Sequence, residues 1–259
     1  MKQLQIKILD LGEMTVCKNE LVRTQKPEDI VLSPVTAVLL RHPTAGNILY
    51  DTGNAPDWVS SYNDAMKQRY PVTRFTSISQ ALAKEGLSPA DINILVLSHM
   101  HFDHAGGLRQ FSHTKAGANV LVSQLELTAA MRERKKPDSA YISSLFYDLP
   151  GVAFRTVSGD YEVAPGVSLF PQHCHTEGLM GLRVELEHTG TVLFISDSIY
   201  TKEAFEQELP PGGSINASSE EFYENLRVIR AMQEKEQATL YFGHDIAQAR
   251  QWQSRGWID

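Results

Sequence analysis

The stretch "LVLSHMHFDHAGGL", residues 95–108, places three histidines and an aspartate within six positions after an apolar run. If the extended strand continues into this motif, side-chain alternation puts His99 and His101 on the same face. The glycines that follow permit a tight turn into a helix, with Asp103 at the N-cap position and His104 in the first helical turn. Imidazole and carboxylate groups are zinc ligands and also suit iron, manganese and cobalt, so this H-x-H-x-D-H frame indicates a metal site.

Three further ligand candidates follow later apolar runs, at points where a rigid scaffold exposes its loops. They are His175 in "VSLFPQHCHTEG", Asp197 in "TVLFISDS" and His244 in "TLYFGHD". Together with the first motif, these side chains could hold two adjacent divalent cations. The predicted assignment is His99, His101 and His175 for the first cation, Asp103, His104 and His244 for the second, and Asp197 as the bridge between them.

Strand-like runs alternate with helical patterns along the whole chain, which predicts an α/β sandwich formed by a single domain, residues 1–259. The run "SISQALAKEGL" (residues 77–87) has the apolar spacing of a helix that stops at a glycine. The run "SSEEFYENLRVIRAMQEKE" (residues 218–236) predicts a longer amphipathic helix that begins at a serine cap. Residues 131–151 are charged and then aromatic, and they could form either an insertion that covers a pocket or a surface helix.

The composition limits the classes of partner. The chain has 24 basic and 31 acidic side chains and a formal net charge of −7, which disfavours a nucleic-acid partner. No run approaches the roughly 20 apolar residues of a membrane span, and the opening "MKQLQIKIL" alternates like a half-buried strand instead of a signal peptide. Two cysteines, Cys17 and Cys174, indicate neither a disulfide framework nor a cysteine zinc site. We expect a cytoplasmic protein, monomeric or homodimeric, with neither a nucleic-acid nor a membrane partner.

At the ligand candidates the chain resembles the metallo-β-lactamase fold superfamily. The matching features are the motif at residues 99–104, the three later ligand candidates, and "YDTG" at residues 50–53, so the resemblance runs over nearly the whole chain. It implies an αββα sandwich that holds two divalent metal ions at the sheet edge, with zinc as the expected ion. It also implies a hydrolytic reaction as the default.

Within the superfamily the chain is most similar to the N-acyl homoserine lactonases, the quorum-quenching enzymes, in the wording of "SHMHFDHAGG" and "GHD". Tyr200, three residues after Asp197, matches a tyrosine that contacts the lactone carbonyl in that group. The resemblance implies a small-molecule lactone or ester substrate, foremost an N-acyl homoserine lactone, opened by a hydroxide that the two cations share. Asp103 would accept the proton of the attacking water, and Tyr200 would polarise the carbonyl oxygen.

One segment departs from the lactonase pattern. That group reads Pro-Gly-His-Thr before the third ligand, whereas this chain reads "HCHT" at residues 173–176. Strand alternation puts His173 and His175 on the same face, so either could reach a cation. The frame "HTEG" that begins at His175 favours this residue, and Cys174 would point to the opposite face and pack there.

Two carboxylates are candidates for orienting the ligand imidazoles, because metal-bound histidines donate their second N–H to a carboxylate or carbonyl oxygen. They are Asp51, which could equally form a turn at Asp-Thr-Gly, and Asp245, which follows His244.

Other activities remain open at this stage. A thioester hydrolase of the glyoxalase II type would share the ligands, but the sequence shows no basic cluster for an anionic glutathione conjugate. A phosphodiesterase or RNA-processing nuclease of the same fold is disfavoured by the acidic balance. A di-iron oxidoreductase usually has an acid in place of His101. A non-catalytic metal-binding module is disfavoured by the presence of Asp197.

Overall fold

The computed structural model describes residues 3–24, 26, 28–212 and 218–259. Within these residues the chain forms two β-sheets, built largely from the apolar runs of the sequence. The strands are β1 (Gln5–Cys17), β2 (Ile30–His42), β3 (Gly46–Tyr50), β4 (Val72–Phe75), β5 (Ile92–Val96), β6 (Val120–Ser123), β7 (Phe154–Val157), β8 (Tyr161–Ala164), β9 (Val167–Pro171), β10 (Met180–Leu186), β11 (Gly190–Phe194) and β12 (Thr239–Tyr241).

Helices connect many of these strands and lie on the outer faces of the sheets. They are α1 (Lys18–Leu21), α2 (Trp58–Ser61), α3 (Asp64–Arg69), α4 (Ile78–Lys84), α5 (Phe102–Ala105), α6 (Gln124–Glu133), α7 (Lys202–Glu206), α8 (Ser219–Glu236) and α9 (Ile246–Ser254). Among the helices of the described residues, none combines the length and the apolar character needed to cross a membrane.

The two sheets have different strand directions. The first sheet has the order β4-β1-β2-β3-β5-β6-β7, and the second has the order β12-β11-β10-β9-β8. In the first sheet β1 and β2 form a long antiparallel pair, whereas β3, β5, β6 and β7 run parallel to one another. In the second sheet β11 and β12 are parallel. Loops at the carboxyl ends of parallel strands are the usual place for a site in sheets of this kind.

Side-chain alternation along the strands divides the apolar core into three layers. On β2, Leu39 belongs to the cluster beneath the helices of the first sheet, whereas Val38 and Leu40 belong to the cluster between the two sheets. On β11, Leu193 packs in a third cluster with Phe222 and other residues of α8. The order of layers is therefore helix, sheet, sheet, helix, and the predicted αββα sandwich is confirmed.

Both predicted helices form, and both begin at a capping box. Ser77 caps α4 with Gln80 as its reciprocal partner, and Ser218 caps α8 with Glu221 in the same arrangement. Gly86 ends the first of these helices in a left-handed conformation with φ +72, which glycine adopts at little cost. These local signals act within one helical turn, and this explains why the sequence alone predicted them.

Residues 131–151 contribute to the core as well as to the pocket described below. Tyr141, Leu145 and Phe146 are buried in the cluster beneath the first sheet. The carbonyl of Ala140 accepts a hydrogen bond from the Phe102 N–H at 3.1 Å, which ties the segment to the first histidine motif. That the segment covers a pocket stays a prediction.

Candidate metal centre

The seven ligand candidates converge at the carboxyl ends of β5, β11 and β12. β5 ends at Val96, the chain bends at Ser98, and His101 then occupies the N-cap position of α5 with φ −68 and ψ 161. Asp103 therefore lies inside the first turn of α5 and not at its N-cap, which corrects the expectation from the sequence. His99 and His101 both point into the site, as alternation predicted.

His99, His101 and His175 form one group, the first donor set. Nε2 of His175 lies 3.1 Å from Nε2 of His99 and 3.0 Å from Nδ1 of His101. A tetrahedral zinc ion with Zn–N bonds of about 2.0–2.1 Å needs nitrogen atoms about 3.3 Å apart. The three imidazoles therefore present their nitrogens at nearly the spacing that one tetrahedral cation requires.

Asp103, His104 and His244 form a second group, the second donor set. Oδ2 of Asp103 lies 3.8 Å from Nε2 of His104 and 3.9 Å from Nε2 of His244. The donor atoms of this set are farther apart than those of the first set. Carboxylate and imidazole donors of this kind suit zinc and other divalent transition metals.

Asp197 lies between the two sets. Its Oδ1 is 3.2 Å from Nε2 of His104, and its Oδ2 is 3.1 Å from Nε2 of His244. The same Oδ2 lies 3.6 Å from Nε2 of His175 and 3.9 Å from Nε2 of His99. A single carboxylate within reach of both sets has the geometry of a bridging ligand.

The hydrogen bonds of the site fit a resident cation. Nε2 of His104 is buried and faces the Asp197 carboxylate without a well-directed hydrogen bond, whereas its Nδ1 lies 2.9 Å from the Asp51 carboxylate. A buried polar atom whose hydrogen bond is poorly made is costly, and binding a cation would remove that cost. Divalent metal ions therefore suit these donors.

Charge effects within the cluster also suit a cation. Burial lowers the pKa of His99 and His101, so both imidazoles are neutral, the form that binds metal. Burial is the largest single effect on His104 and His244 and opposes their protonation, but the neighbouring carboxylates, Asp197 first and then Asp103, together outweigh it and raise the pKa of both. Burial alone would raise the pKa of Asp197, yet the neighbouring His244 and His104 hold it well below its usual range.

Hydrogen bonds on the far side of the imidazoles fix the ring orientations. Asp51 accepts from Nδ1 of His104 and also from the Ser98 N–H at 2.7 Å. Ser33 Oγ lies 2.8 Å from Nδ1 of His244, and Ser98 Oγ lies 3.0 Å from Nδ1 of His99. The two serines were missed by sequence reasoning, because nothing near Ser33 indicates that β2 passes beside the site.

Asp245 has a different role from the one expected. Its Oδ1 accepts a hydrogen bond from the Gln248 N–H at 3.0 Å, and its Oδ2 accepts from the Lys202 N–H at 3.1 Å. The side chain therefore caps α9 and holds the loop before α7, whereas Ser33 takes the position beside His244. This corrects the expectation that Asp245 orients a ligand imidazole.

The "HCHT" segment is not a strand, since β9 ends at Pro171. His175 adopts a left-handed backbone with φ +72, and this bend directs its side chain into the site while His173 stays exposed. Alternation therefore does not relate the two histidines, although the choice of His175 matches the geometry. Cys174 is buried and donates to the Ser198 carbonyl at 3.2 Å. Burial raises the pKa of its thiol to about 12, so it packs as a neutral group.

A pocket opens onto this cluster. Its walls include the apolar side chains of Met14, Val16, Leu21 and Phe102 as well as the Tyr200 ring. The first three of these come from β1 and α1, far from any ligand in the sequence. Strand alternation accounts for the burial of Met14 and Val16 on β1, but their place in a pocket depends on how the strands align.

A four-layer αββα sandwich with histidine and aspartate donors at the ends of its strands defines a class of metal-dependent hydrolases. A family model described as the metallo-beta-lactamase superfamily matches residues 30–244 of this chain. The chain belongs to this superfamily, and the protein is a metal-dependent hydrolase.

Proteins that resemble the chain over most of its length have been characterised. An N-acyl homoserine lactonase of Bacillus sp is 33% identical over 233 residues, which cover 88% of this chain and 87% of the relative. A solved structure of an N-acyl homoserine lactone hydrolase, with the product N-hexanoyl-L-homoserine bound at its catalytic metal center, has a TM-score of 0.81 at 28% identity and covers 97% of both chains. A mutant of AiiA from B. thuringiensis with N-decanoyl-L-homoserine bound has the same TM-score, identity and coverage.

Proposed function

We propose that this protein is a lactonase that opens the ring of N-acyl homoserine lactones. The observation that carries the proposal is the convergence of seven imidazole and carboxylate groups, five of which line a pocket that Tyr200 also lines. Relatives named N-acyl homoserine lactonase, and similar solved structures that hold acyl homoserine products, support this choice of substrate.

Two divalent cations are the proposed cofactors, and zinc is the proposed ion, because nitrogen donors at tetrahedral spacing suit it. Iron, manganese and cobalt accept the same donors. The first and second donor sets would hold one ion each, with Asp197 bridging them. When bound, such a pair supplies a nucleophile from water at neutral pH and polarises a carbonyl oxygen.

Asp103 is the proposed proton acceptor. Its side chain belongs to the second donor set and also lines the pocket, so it adjoins both the cation and the space for substrate. A carboxylate in this position can take a proton from the attacking water and return it to the alkoxide that leaves when the ring opens.

Tyr200 is the proposed donor to the substrate carbonyl. Its hydroxyl lies 3.0 Å from Nδ1 of His175, whose Nε2 faces the first donor set. When Nε2 binds a cation, Nδ1 carries the ring proton and donates to the phenol oxygen. The His175 ring then orients the phenol, and the Tyr200 side chain also lines the pocket. Burial raises the pKa of Tyr200, so the phenol remains protonated and can stabilise an oxyanion.

The apolar part of the pocket is the proposed site for the acyl chain. Met14, Val16 and Leu21 line it on the side of β1 and α1, and Phe102 lines it from α5. Burying methylene groups against these side chains is favourable by about 0.8 kcal/mol each. An acyl chain would therefore bind more tightly than a bare lactone ring.

We further propose a cytoplasmic location and a monomeric or homodimeric state, with no nucleic-acid or membrane partner. The location rests on the small number of cysteines, and the choice of partners rests on the acidic balance of the chain. Size-exclusion chromatography with light scattering measures the oligomeric state directly.

A hydrolysis panel tests the proposed substrate. The metal-loaded protein is compared with the chelator-treated protein on N-hexanoyl and N-decanoyl homoserine lactone, a simple γ-lactone, an aryl ester, a thioester and a phosphodiester. We expect kcat/KM to be highest for an acyl homoserine lactone, by about tenfold or more over the other classes, and to be lost on chelation. A preference for the thioester or the phosphodiester would contradict the proposal.

A further inference from the structure

Glu126 is a buried carboxylate close to the metal centre that belongs to neither donor set. It lies in the first turn of α6 and is fully buried. In the described part of the chain it forms no ion pair with a lysine, arginine or histidine. A buried carboxylate without a cationic partner is unfavourable unless hydrogen bonds replace its hydration. Its hydrogen bonds therefore indicate what it does.

The two oxygens of Glu126 bind two different loops. Oε1 accepts from the Met100 N–H at 2.8 Å, and Oε2 accepts from the Thr176 hydroxyl at 2.7 Å. Met100 lies between His99 and His101, and Thr176 directly follows His175. One carboxylate thus connects the two segments that carry all three members of the first donor set.

Two further contacts strengthen this connection. The Gly178 N–H and the Tyr141 hydroxyl act against the rise that burial causes in the pKa of Glu126, and the Tyr141 ring packs against His101 with centroids 4.6 Å apart. A Cβ atom at Gly178 would lie 2.1 Å from the Glu126 backbone nitrogen, so only glycine permits the loop to approach α6 this closely. Several donors therefore converge on one carboxylate.

The loop that carries His175 needs such an anchor. His175 has φ +72, a left-handed conformation that non-glycine residues adopt only where the surroundings enforce it. The neighbouring Thr176 is the point at which Glu126 holds the loop. Without that contact the chain could relax toward an ordinary backbone conformation and withdraw the His175 imidazole from the other two.

We propose that Glu126 is a positioning residue that aligns the first donor set for its cation, across the gap between the two ligand loops. This inference rests on the proposed dinuclear site. The second donor set has no contact with Glu126 and is anchored instead by Asp51 and Ser33. Loss of the carboxylate should therefore weaken the first cation selectively.

The test compares metal binding in the full-length parent, Glu126→Ala, Glu126→Gln and Thr176→Val. Glu133→Ala, at the other end of the same helix, is the matched control. Zinc affinity is measured by competition with a chromogenic chelator, and the spectrum of the cobalt-loaded protein reports on each site. His101→Ala, which removes a donor from the first set, gives the reference spectrum for a protein with an impaired first site. Circular dichroism of the metal-free variants checks the fold.

We expect Glu126→Ala to lower the affinity of the first donor set for its ion by about 10- to 100-fold and to leave the affinity of the second set unchanged. Its cobalt spectrum should resemble that of His101→Ala. Glutamine keeps one hydrogen-bond acceptor and one polar group, so Glu126→Gln should lose less affinity for the first ion than Glu126→Ala. Thr176→Val should lower that affinity a few-fold, because it removes only one of several hydrogen bonds. If Glu126→Ala does not fold, Glu126→Gln and Thr176→Val decide between the outcomes.

Parent-like affinity for both ions in the folded variants would overturn the positioning role while leaving the proposed lactonase intact. An equal loss at both sites would overturn it as well, since this would indicate a general effect on the fold. A parent that binds fewer than two ions would overturn the dinuclear site and this inference together.

Discussion

The Tyr200 hydroxyl lies 3.0 Å from Nδ1 of His175, on the opposite side of the imidazole from Nε2, which faces His99 and His101. One imidazole thus connects the phenol to the first donor set. The phenol oxygen accepts from the ring when a cation occupies the other nitrogen, and its own proton is then directed elsewhere. The tyrosine therefore has two functions to separate, support of a ligand and donation to a substrate.

Replacement of Tyr200 by phenylalanine separates them. We expect Tyr200→Phe to lower kcat on the best acyl homoserine lactone by about 10- to 100-fold, because it removes one donor to the developing oxyanion while the cation still polarises that oxygen. Metal content should stay at the parent value. The comparison uses steady-state kinetics with elemental analysis, and Tyr223→Phe on the exposed face of α8 is the control. An unchanged kcat in Tyr200→Phe would contradict the proposed role of Tyr200 as a donor to the substrate carbonyl.

The two histidines of the "HCHT" segment provide a matched pair. His175→Ala should lose the first cation and nearly all activity, because it removes a donor that meets both His99 and His101. His173→Ala should retain the first cation and the activity, since this side chain is exposed. Elemental analysis after gel filtration measures the ions per chain. The opposite pattern would mean that His173 is the ligand.

The two aspartates proposed to orient imidazoles should now behave differently. Asp51→Asn keeps the left-handed backbone at φ +68, which asparagine tolerates, but weakens the hydrogen bond to His104. We expect the second cation to bind about 10- to 100-fold more weakly. Asp245→Asn should leave metal affinity unchanged and lower the free energy of unfolding by about 1 kcal/mol, because the amide nitrogen cannot replace the oxygen that accepts from the Lys202 N–H, while asparagine still caps α9. Chelator competition and urea unfolding measure the two effects, and metal loss in Asp245→Asn alone would contradict this assignment.

Metal affinity should rise with pH. In the metal-free protein Asp197 raises the pKa of His104 and His244 despite their burial, so these rings keep a proton to higher pH than an ordinary histidine. A cation must displace that proton from Nε2, so binding releases protons, and affinity falls as the pH is lowered. Isothermal titration calorimetry in buffers of different ionisation enthalpy counts the protons. If cation binding releases no protons near pH 7, this would contradict protonated histidines in the second donor set.

Local signals explain what the sequence predicted well. The capping signal of Ser218 and Glu221 acts over three residues, and the strand pattern acts over two, so both are visible in a short stretch of sequence. The αββα architecture followed from resemblance, and the seven ligand candidates meet because each lies in a loop that leaves the same edge of the sheets. Asp51 lies beside His104, whereas the sequence named no particular imidazole for it and left a turn at Asp-Thr-Gly equally open.

Long-range alignment explains what the sequence missed. Ser33 reaches His244 across 211 residues of chain, and Glu126 reaches Thr176 across 50. Neither contact has a local motif, because it depends on how strands and helices pack. Asp245 was misassigned since an aspartate after a strand can cap the next helix as readily as it can face an imidazole. The bend at His175 was missed because alternation was extended beyond Pro171, where β9 ends.

Each donor set takes side chains from both halves of the sandwich. His99 and His101 follow a strand of the first sheet, whereas the His175 loop joins two strands of the second, 76 residues away from His99 in the chain. A bound cation would therefore act as a cross-link that closes a long loop, and its binding energy would favour the docked state of the two sheets over the separated one. Catalytic competence and the docking of the two halves would then be set by the same ions.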